Sequence, residues 1–387
     1  MATGTTTFNT PWSRLVNSTI ADYIRESEEN IFRNRKFTAL LKKRGRITYN
    51  HSGIKMDWKV RYRRAPMIGF ADGDTVTFSR QDRHKTAQID WRGYSAADAM
   101  TKGEFLQNRS TEAIIKLFES RSKFLLADVE DQFGEQMYVD GTMAANTKNF
   151  HGIETFLQTS GTSTGNAIAL PNAVYAGLSC VLGNYGGAWT GNWPNGRGDA
   201  QYDFWSPLLV DVGDSFFGTT PYWGVHSTNS VACIEAVSFA IIASKKSPAK
   251  DGELDVFMLN NEAYRQYISQ LRSSQRIVVN GQISELIGLG FDDVVQQDGG
   301  KDVTWEYGLP VSSTLSNAIG VIGYGINFDQ VELCSMQSEV WVPEGPSFDD
   351  ATKTWRWSID SYGNLKWNSK YQVKLYNNTT TSDPAQQ

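Results

Sequence analysis

Residues 53–94 alternate between apolar and polar side chains with a period of two over much of their length. Such alternation predicts β-strands that each have one apolar face. The turn residues Asp72-Gly73-Asp74 lie between the alternating stretches, so the segment is predicted to form one long β-hairpin. The predicted apolar face comprises Ile54, Met56, Trp58, Val60 and Tyr62 on the first strand and Ala87, Ile89 and Trp91 on the second.

This hairpin is predicted to be an interface element, because a two-stranded ribbon has little core of its own and is only marginally stable in water. We therefore expect its apolar face, with Trp58 and Trp91, to pack on another subunit. In an isolated subunit, residues 53–94 are expected to be mobile and to become ordered on assembly.

Residues 108–141 have the strongest helical pattern in the chain. Ser110 or Thr111 suits the N-cap of this helix and Gly141 its C-terminus. About thirty residues at ~1.5 Å each predict a rod of roughly 45 Å. The predicted apolar face comprises Ile114, Phe118, Leu125, Val129, Phe133 and Met137, and the acidic residues Asp128, Glu130, Asp131 and Glu135 lie off it.

The rest of the chain mixes helical and strand patterns, so the predicted fold class is α+β. Residues 1–50 read as a polar arm with a short helix over 20–41. Further helices are predicted over 231–243 and 262–271, and strands over 254–259, 276–279 and 291–295. A closing hairpin is predicted around Tyr362-Gly363-Asn364.

Composition places the chain among ordinary globular proteins, with 387 residues, 40% hydrophobic and 20% charged. The three cysteines lie far apart and form no CxxC pair, which fits a reducing compartment. The N-terminus lacks a signal-peptide pattern, and no apolar run reaches the ~20 residues of a membrane span. We expect a soluble protein that is made in a cytoplasm and contacts no membrane.

The charge is distributed unevenly along the chain. Residues 1–92 hold 18 Lys and Arg against 9 Asp and Glu, a net charge of +9, whereas residues 93–387 hold 19 against 33, a net charge of −14. Three interpretations are open: chance clustering on solvated faces, contact between the basic part of one copy and the acidic body of another, and nucleic-acid binding. Interspersed aspartates make the third the weakest.

Under the second interpretation, particular side chains of the hairpin and the long helix form the subunit interface. The cationic candidates crowd the distal half of the hairpin: Arg61, Arg63, Arg64, Arg80, Arg83 and Lys85. The acidic candidates lie on the long helix: Asp128, Glu130, Asp131 and Glu135.

No motif of a known catalytic, cofactor or metal site appears. The four histidines are scattered, and the glycine-rich segments do not complete a phosphate-binding loop or a nucleophile elbow. No catalytic, cofactor-binding or metal-binding residue is therefore predicted, and only a metal site assembled from distant residues stays open.

An alternative function rests on the glycine-rich and tryptophan-rich residues 160–225. Carboxylates beside aromatic platforms suit a glycoside hydrolase or a carbohydrate-binding protein. Oligosaccharide titration of tryptophan fluorescence separates this alternative from a structural role. The residues concerned are Trp189, Trp193, Trp205 and Trp223 with Asp199, Asp203, Asp211 and Asp214.

The order of the parts resembles the major capsid proteins of tailed bacteriophages. In that resemblance, residues 1–50 are the N-terminal arm and 51–105 the extended loop. The helix over 108–141 is the spine of a peripheral domain formed by 106–150 and 320–376. Residues 151–319 form the axial domain, elaborated at 160–225, and 377–387 a loose tail. Phe150–Thr155 resembles the short strand after the spine.

The resemblance implies a structural subunit with neither enzyme activity nor a cofactor. It implies hexamers and pentamers that enclose a DNA genome, with another virion component, such as a tail or portal protein, as a further alternative. Separate scaffolding, portal and cement proteins are expected partners, and packaged DNA a nonspecific neighbour. Localisation is expected in the virion, after synthesis and assembly in the host cytoplasm.

Overall fold

The computed structural model describes most of the chain between residues 35 and 377. The described residues are 35–61, 68–75, 78, 80, 82–107, 111–163, 167–181, 204–217, 222–223, 230–231, 233–245, 252–273, 285–291, 293–297, 300–307, 309 and 320–377. Parts of the predicted arm and hairpin tip lie outside these residues, as do the whole strand predicted over 276–279 and the predicted tail residues 378–387.

Five α-helices and nineteen β-strands are present in the described residues. The helices are α1 Lys36–Lys43, α2 Lys102–Gln107, α3 Thr111–Gln136, α4 Cys233–Ala243 and α5 Asn261–Ser273. The first ten strands are β1 Ile47–Thr48, β2 Lys55–Arg61, β3 His84–Asp90, β4 Arg92–Thr101, β5 Thr159–Ser163, β6 Ala169–Pro171, β7 Val174–Tyr175, β8 Leu178–Ser179, β9 Leu208–Asp211 and β10 Tyr222–Trp223. The others are β11 Ser230–Val231, β12 Val256–Leu259, β13 Val294–Gln297, β14 Lys301–Trp305, β15 Val321–Ile326, β16 Val331–Ser335, β17 Val342–Asp349, β18 Thr354–Trp367 and β19 Val373–Tyr376.

Two sheets organise the described part of the molecule. The five-stranded sheet has the order β1-β16-β18-β17, with β4 along the other edge of β18. The six-stranded sheet has the order β13-β14-β12-β15-β19-β9. Helices α4 and α5 share a hydrophobic cluster with this second sheet, and α1, α3 and the ribbon of β2 and β3 share the main cluster. The predicted α+β class is confirmed.

Helix α1 is fixed at its N-terminus by a buried carboxylate. Glu306, at the end of β14, accepts the backbone N–H groups of Lys36 and Phe37, and burial raises the pKa of Glu306 to about 7. Lys36 donates to the backbone oxygen of Trp305 at 2.7 Å. Arg35 donates to the backbone oxygen of Tyr307 at 2.6 Å. These contacts join the arm to the six-stranded sheet.

The long helix is shorter than predicted. Helix α3 ends at Gln136 and not at Gly141, which makes it about 39 Å long. Its buried stripe includes Val129 and Phe133 as predicted, but Leu126 replaces the half-buried Leu125. The helix ends because Tyr138 must turn into the core, where its ring stacks on Tyr324 with the ring centroids 5.7 Å apart. The side chains of Ile114 and Phe118 lie outside those described.

Gly141 and Gly152 allow close packing after the helix ends. A Cβ atom at Gly141 would lie 2.6 Å from the Arg92 guanidinium, which donates to the Gly141 oxygen. A Cβ atom at Gly152 would lie 2.5 Å from the Val139 oxygen. The short strand predicted over 150–155 is wrong, because Ile153–Thr155 form a buried 3-10 turn at this crowded point.

The ribbon is rooted in its own subunit, which corrects the expectation that its whole apolar face packs on another copy. Met56, Val60, Ala87 and Ile89 are buried in the main hydrophobic cluster of the same chain. The Asn364 side-chain amide also donates to the backbone oxygen of Asp90, at the end of β3, at 2.8 Å. These contacts give the root a core, so it does not need a neighbour to be ordered.

The predicted closing hairpin around Tyr362-Gly363-Asn364 is wrong. Strand β18 runs unbroken through these residues and pairs with β4 along one edge and with β16 and β17 along the other. Gly363 allows β18 to lie close to β16 at this point, because a Cβ atom on it would lie 2.4 Å from the Cys334 backbone oxygen. The helices and strands predicted over 231–243, 254–259 and 262–271 have counterparts in α4, β12 and α5. No helix in the described residues combines the length and apolarity needed to cross a membrane.

A buried ion pair links the six-stranded sheet to the segment after α3. Lys374 on β19 donates to Glu154 at 2.9 Å, and both side chains are almost completely buried. The Tyr324 hydroxyl donates to the other carboxylate oxygen of Glu154. Removing one partner of such a pair leaves an uncompensated charge in the core, which costs far more than the net value of the pair.

We predict that Lys374→Met destabilises the subunit by about 3–5 kcal/mol, because the Glu154 carboxylate loses its cation. The double variant Lys374→Met with Glu154→Gln should lose less than Lys374→Met alone. Urea unfolding of the purified subunit measures both free energies. Equal losses in the single and double variants would show that the pair is not coupled as the structure indicates.

His151 is a buried neutral side chain in the same region. Burial, and then the nearby Arg92, lower the pKa of His151 to about 3. Its ring packs edge-on against Tyr175 with the centroids 5.9 Å apart. The unfolded chain therefore binds one more proton than the folded chain between about pH 6.5 and pH 3.

We predict that His151 contributes stability above about pH 6.5 that is lost as the pH falls toward 3, by up to about 1.4 kcal/mol per pH unit. In His151→Gln, the free energy of unfolding should fall less steeply over this range. The matched control is His84→Gln, at an exposed position of β3, which should keep the wild-type slope. Urea unfolding from pH 7 to pH 4 tests this, and equal slopes in all three proteins would contradict it.

Candidate subunit interface

The connection between β2 and β3, at the distal end of the ribbon, exposes large apolar side chains. Ile68, Phe70 and Phe78 are 66%, 72% and 94% exposed, whereas the root side chains Met56 and Val60 are buried. Ile54, predicted on the apolar face, is 94% exposed because it precedes β2. Exposed side chains this large and apolar are candidates for a surface that another molecule covers.

A cationic cleft of about 320 Å³ lies between the root of the ribbon and strands β16 and β18. Its acidic residues already have partners within the cleft: Asp329 accepts from Arg46 at 3.1 Å, and Glu332 accepts from Lys366 at 2.8 Å. The excess of basic side chains makes the cleft suitable for a carboxylate from outside. The basic side chains that line it are Arg46, Lys59, Arg61, Lys366 and Lys370.

The predicted cationic residues occupy different places. Arg61 and Lys85 are exposed on the ribbon strands, and Arg61 lines the cleft. Arg80 is exposed toward the distal end of the ribbon, and Arg83 is half-buried. Arg63 and Arg64 lie outside the described residues.

The two predicted tryptophans pack on their own subunit. Trp58 is half-buried, with its ring centroid 6.4 Å from each of the rings of Tyr175 and Trp205. The Trp91 indole N–H donates to the Gly53 backbone oxygen at 3.0 Å, which joins the two ends of the ribbon. Both tryptophans therefore anchor the root. The contact predicted between the exposed part of each side chain and a second subunit stays a prediction.

The predicted acidic residues lie along α3, and their availability differs. Asp128 is exposed and forms no ion pair with any described residue. Asp131 is exposed but lies 3.5 Å from the Arg35 guanidinium of its own chain. Glu135 is half-buried, and the side chain of Glu130 is outside those described. Phe124, one turn before Asp128 on the same helix, is a 69% exposed apolar side chain.

The exposed residues Phe70, Phe78 and Phe124 and the cleft residues Lys366 and Lys370 were missed by sequence reasoning. Phe78 resembles any other apolar residue of an alternating strand, and only burial separates it from Ile89. Lys366 and Lys370 follow the ribbon by nearly three hundred residues, so no local pattern connects them to it.

The tryptophan-rich segment gives no described platform for a sugar. Trp205 and Trp223 are 1% and 2% exposed, and Trp205 stacks on Tyr175 within the core. Asp211 and Asp214 accept backbone N–H groups of Gly213 and Phe216 in turns. Trp189, Trp193, Asp199 and Asp203 lie outside the described residues.

Solved structures decide the fold. The capsid asymmetric unit of cyanophage A-1(L) matches with a TM-score of 0.55 and 12% identity, over 87% of this chain and 91% of that chain. This chain has the fold of a phage capsid protein. The capsid of Myoviridae phage XM1 is also similar, with a TM-score of 0.48 and 9% identity over 87% of this chain and 92% of that one. The predicted resemblance to the capsid proteins of tailed phages is confirmed at the level of the fold.

Sequence comparison adds nothing to this structural match. No protein-family model matches the chain, and no curated protein matches it. The similarity to capsid structures is therefore one of fold. The predicted division into arm, extended loop, peripheral domain and axial domain stays a prediction, as does the assignment of individual interface residues.

Proposed function

We propose that this chain is the structural subunit of an icosahedral phage head, which self-assembles into hexamers and pentamers around the DNA genome. The capsid fold supports this function. The observation that carries it is the ribbon, whose root is fixed in its own core while Phe70 and Phe78 are exposed. A rigid root with an exposed apolar end suits an element that reaches onto a neighbour.

The contact we propose is heterologous, because the ribbon of one copy meets a different surface of the next. Such contacts close into rings when the rotation between copies allows it. Burying one phenylalanine side chain contributes about 1.5–3 kcal/mol, so even a few per subunit stabilise a shell in which every subunit repeats them.

Charge supports the same arrangement. We propose that Arg61, Arg80 and Lys85 of the ribbon, with Arg63, Arg64 and Arg83, meet acidic groups of a neighbour, among which Asp128 is an exposed candidate. Exposed pairs contribute only about 0–1 kcal/mol each, so their effect is on register and rate of association more than on final stability. A virion location and host-cytoplasmic assembly follow from this function, with scaffolding, portal and cement proteins as expected partners.

The carbohydrate alternative has no support among the described residues, since Trp205 and Trp223 are buried in the core. A saturable change in tryptophan fluorescence on adding oligosaccharides would nevertheless favour it over the shell. The structural function requires no catalytic group and no cofactor.

We predict that replacing the exposed phenylalanines, Phe70→Ser with Phe78→Ser, abolishes or strongly slows shell formation and leaves the far-UV circular dichroism of the subunit unchanged. The matched control is Phe70→Leu with Phe78→Leu, which keeps most of the apolar area and should assemble. Electron microscopy and sedimentation measure assembly. If the serine variant forms normal shells, the ribbon is not part of the interface that we propose.

We also predict that assembly slows at high salt, because the Debye length falls to about 3 Å at 1 M. Arg61→Glu with Arg80→Glu should slow assembly at low salt and make its rate less sensitive to salt. Arg61→Lys with Arg80→Lys keeps the charge and serves as the control. Light scattering follows the rate of assembly. If the charge-reversed protein assembles at the wild-type rate, the electrostatic contribution is refuted, but the proposed capsid function is not.

A further inference from the structure

Three side chains of the kinds that bind transition metals meet beside the root of the ribbon. The donor atoms of His51, Glu332 and Cys334 all lie within 4.8 Å of one another. Cys334 is buried, whereas His51 and Glu332 are half-buried, so the group is reachable from the surface through the last two.

Strand pairing explains why these residues face one another. Strand β1 pairs with β16 in parallel, with Thr48 opposite Cys334. Glu332 and Cys334 are two residues apart on β16, so their side chains leave the same face. The chain after β1 continues along this edge, and the His51 backbone N–H donates to the Ser335 oxygen at 3.0 Å. His51 is thereby held over that face.

The donor set matches zinc better than a hard cation. An imidazole nitrogen, a thiolate and a carboxylate oxygen are ligands of Zn²⁺, whereas Mg²⁺ and Ca²⁺ prefer oxygen alone. Metal–donor bonds of about 2.0–2.3 Å in a tetrahedron place the donors roughly 3.5 Å apart. Side-chain movements of about 1 Å therefore close the present arrangement onto an ion.

Neighbouring groups already orient the three side chains. The Thr48 hydroxyl lies 2.7 Å from Nε2 of His51 and donates to Oε1 of Glu332 at 3.0 Å. Lys366 holds Oε2 of Glu332 at 2.8 Å. Hydrogen bonds of this kind to ligand side chains orient metal sites. The Lys366 ammonium also repels a cation, and the two negative charges of a bound thiolate and the carboxylate outweigh it.

We propose that His51, Glu332 and Cys334 bind one zinc ion, which fastens the chain at the root of the ribbon to the five-stranded sheet. A water molecule supplies the fourth ligand. His51 lies just before β2, and its ring centroid is 6.1 Å from that of Trp91, which follows β3. The ion therefore connects the segment before β2 to β16, beside the other end of the ribbon. This site goes beyond the proposed shell function and does not depend on it.

Cobalt substitution tests the site on the full-length protein, both as subunits and as assembled particles. After removal of metal by chelation, Co²⁺ should bind once per chain and give the intense near-ultraviolet absorption of a thiolate–cobalt bond. Zn²⁺ should displace it. Cys334→Ser should abolish this absorption, and His51→Gln and Glu332→Gln should each weaken cobalt binding at least about tenfold.

The matched controls are Cys180→Ser and Cys233→Ser, because Cys180 and Cys233 are also buried and outside any disulfide, and among the described residues neither belongs to such a group. Both should keep the absorption. If Cys334→Ser does not fold, His51→Gln still tests the site, because His51 is only half-buried and its replacement disturbs the core less. Absence of the absorption at saturating Co²⁺, its persistence in Cys334→Ser, or uptake that none of the three ligand variants changes would each overturn the proposal.

Discussion

The described structure depends on one constraint, which is that a two-stranded ribbon must bury one face to hold its shape. Here Met56, Val60, Ala87 and Ile89 are buried in the main core of the same chain. The Asn364 amide joins the end of the ribbon to β18, the longest strand of the five-stranded sheet. Because the root is fixed, the exposed Phe70 and Phe78 are presented to solvent from a defined support.

Buried polar contacts place the remaining elements around that support. Glu306 holds the N-terminus of α1 against the six-stranded sheet, and at its other end Arg44 bonds Asp255 at 2.8 Å. Lys374 and Glu154 connect the same sheet to the segment after α3. Such contacts add little net stability compared with apolar packing, but an alternative arrangement would leave each charge unpaired. They therefore favour one relative placement of the elements.

Local patterns in the sequence were sufficient for several elements. Alternation with a period of two predicted β2 and β3, and the repeating apolar face predicted α3. Where the structure departs from these local predictions, the residue responsible has a partner far away in the sequence. Tyr138 turns away to stack on Tyr324, and Gly363 lies against Cys334 within a continuous strand. The local sequence Tyr362-Gly363-Asn364 predicts a turn, and only the neighbouring strand shows why a glycine is needed there.

By itself the sequence determined the kind and order of several elements, among them β2, β3 and α3, because helix and strand periodicity are local properties of the chain. It also determined the uneven charge and the absence of contiguous catalytic motifs. Only the tertiary structure decided which apolar residues of the ribbon are buried and which are exposed. It alone brought His51 to Glu332 and Cys334, since the pairing of β1 with β16 joins residues about 285 positions apart. Contacts across such distances depend on how the sheets assemble, and no periodicity in the sequence records them.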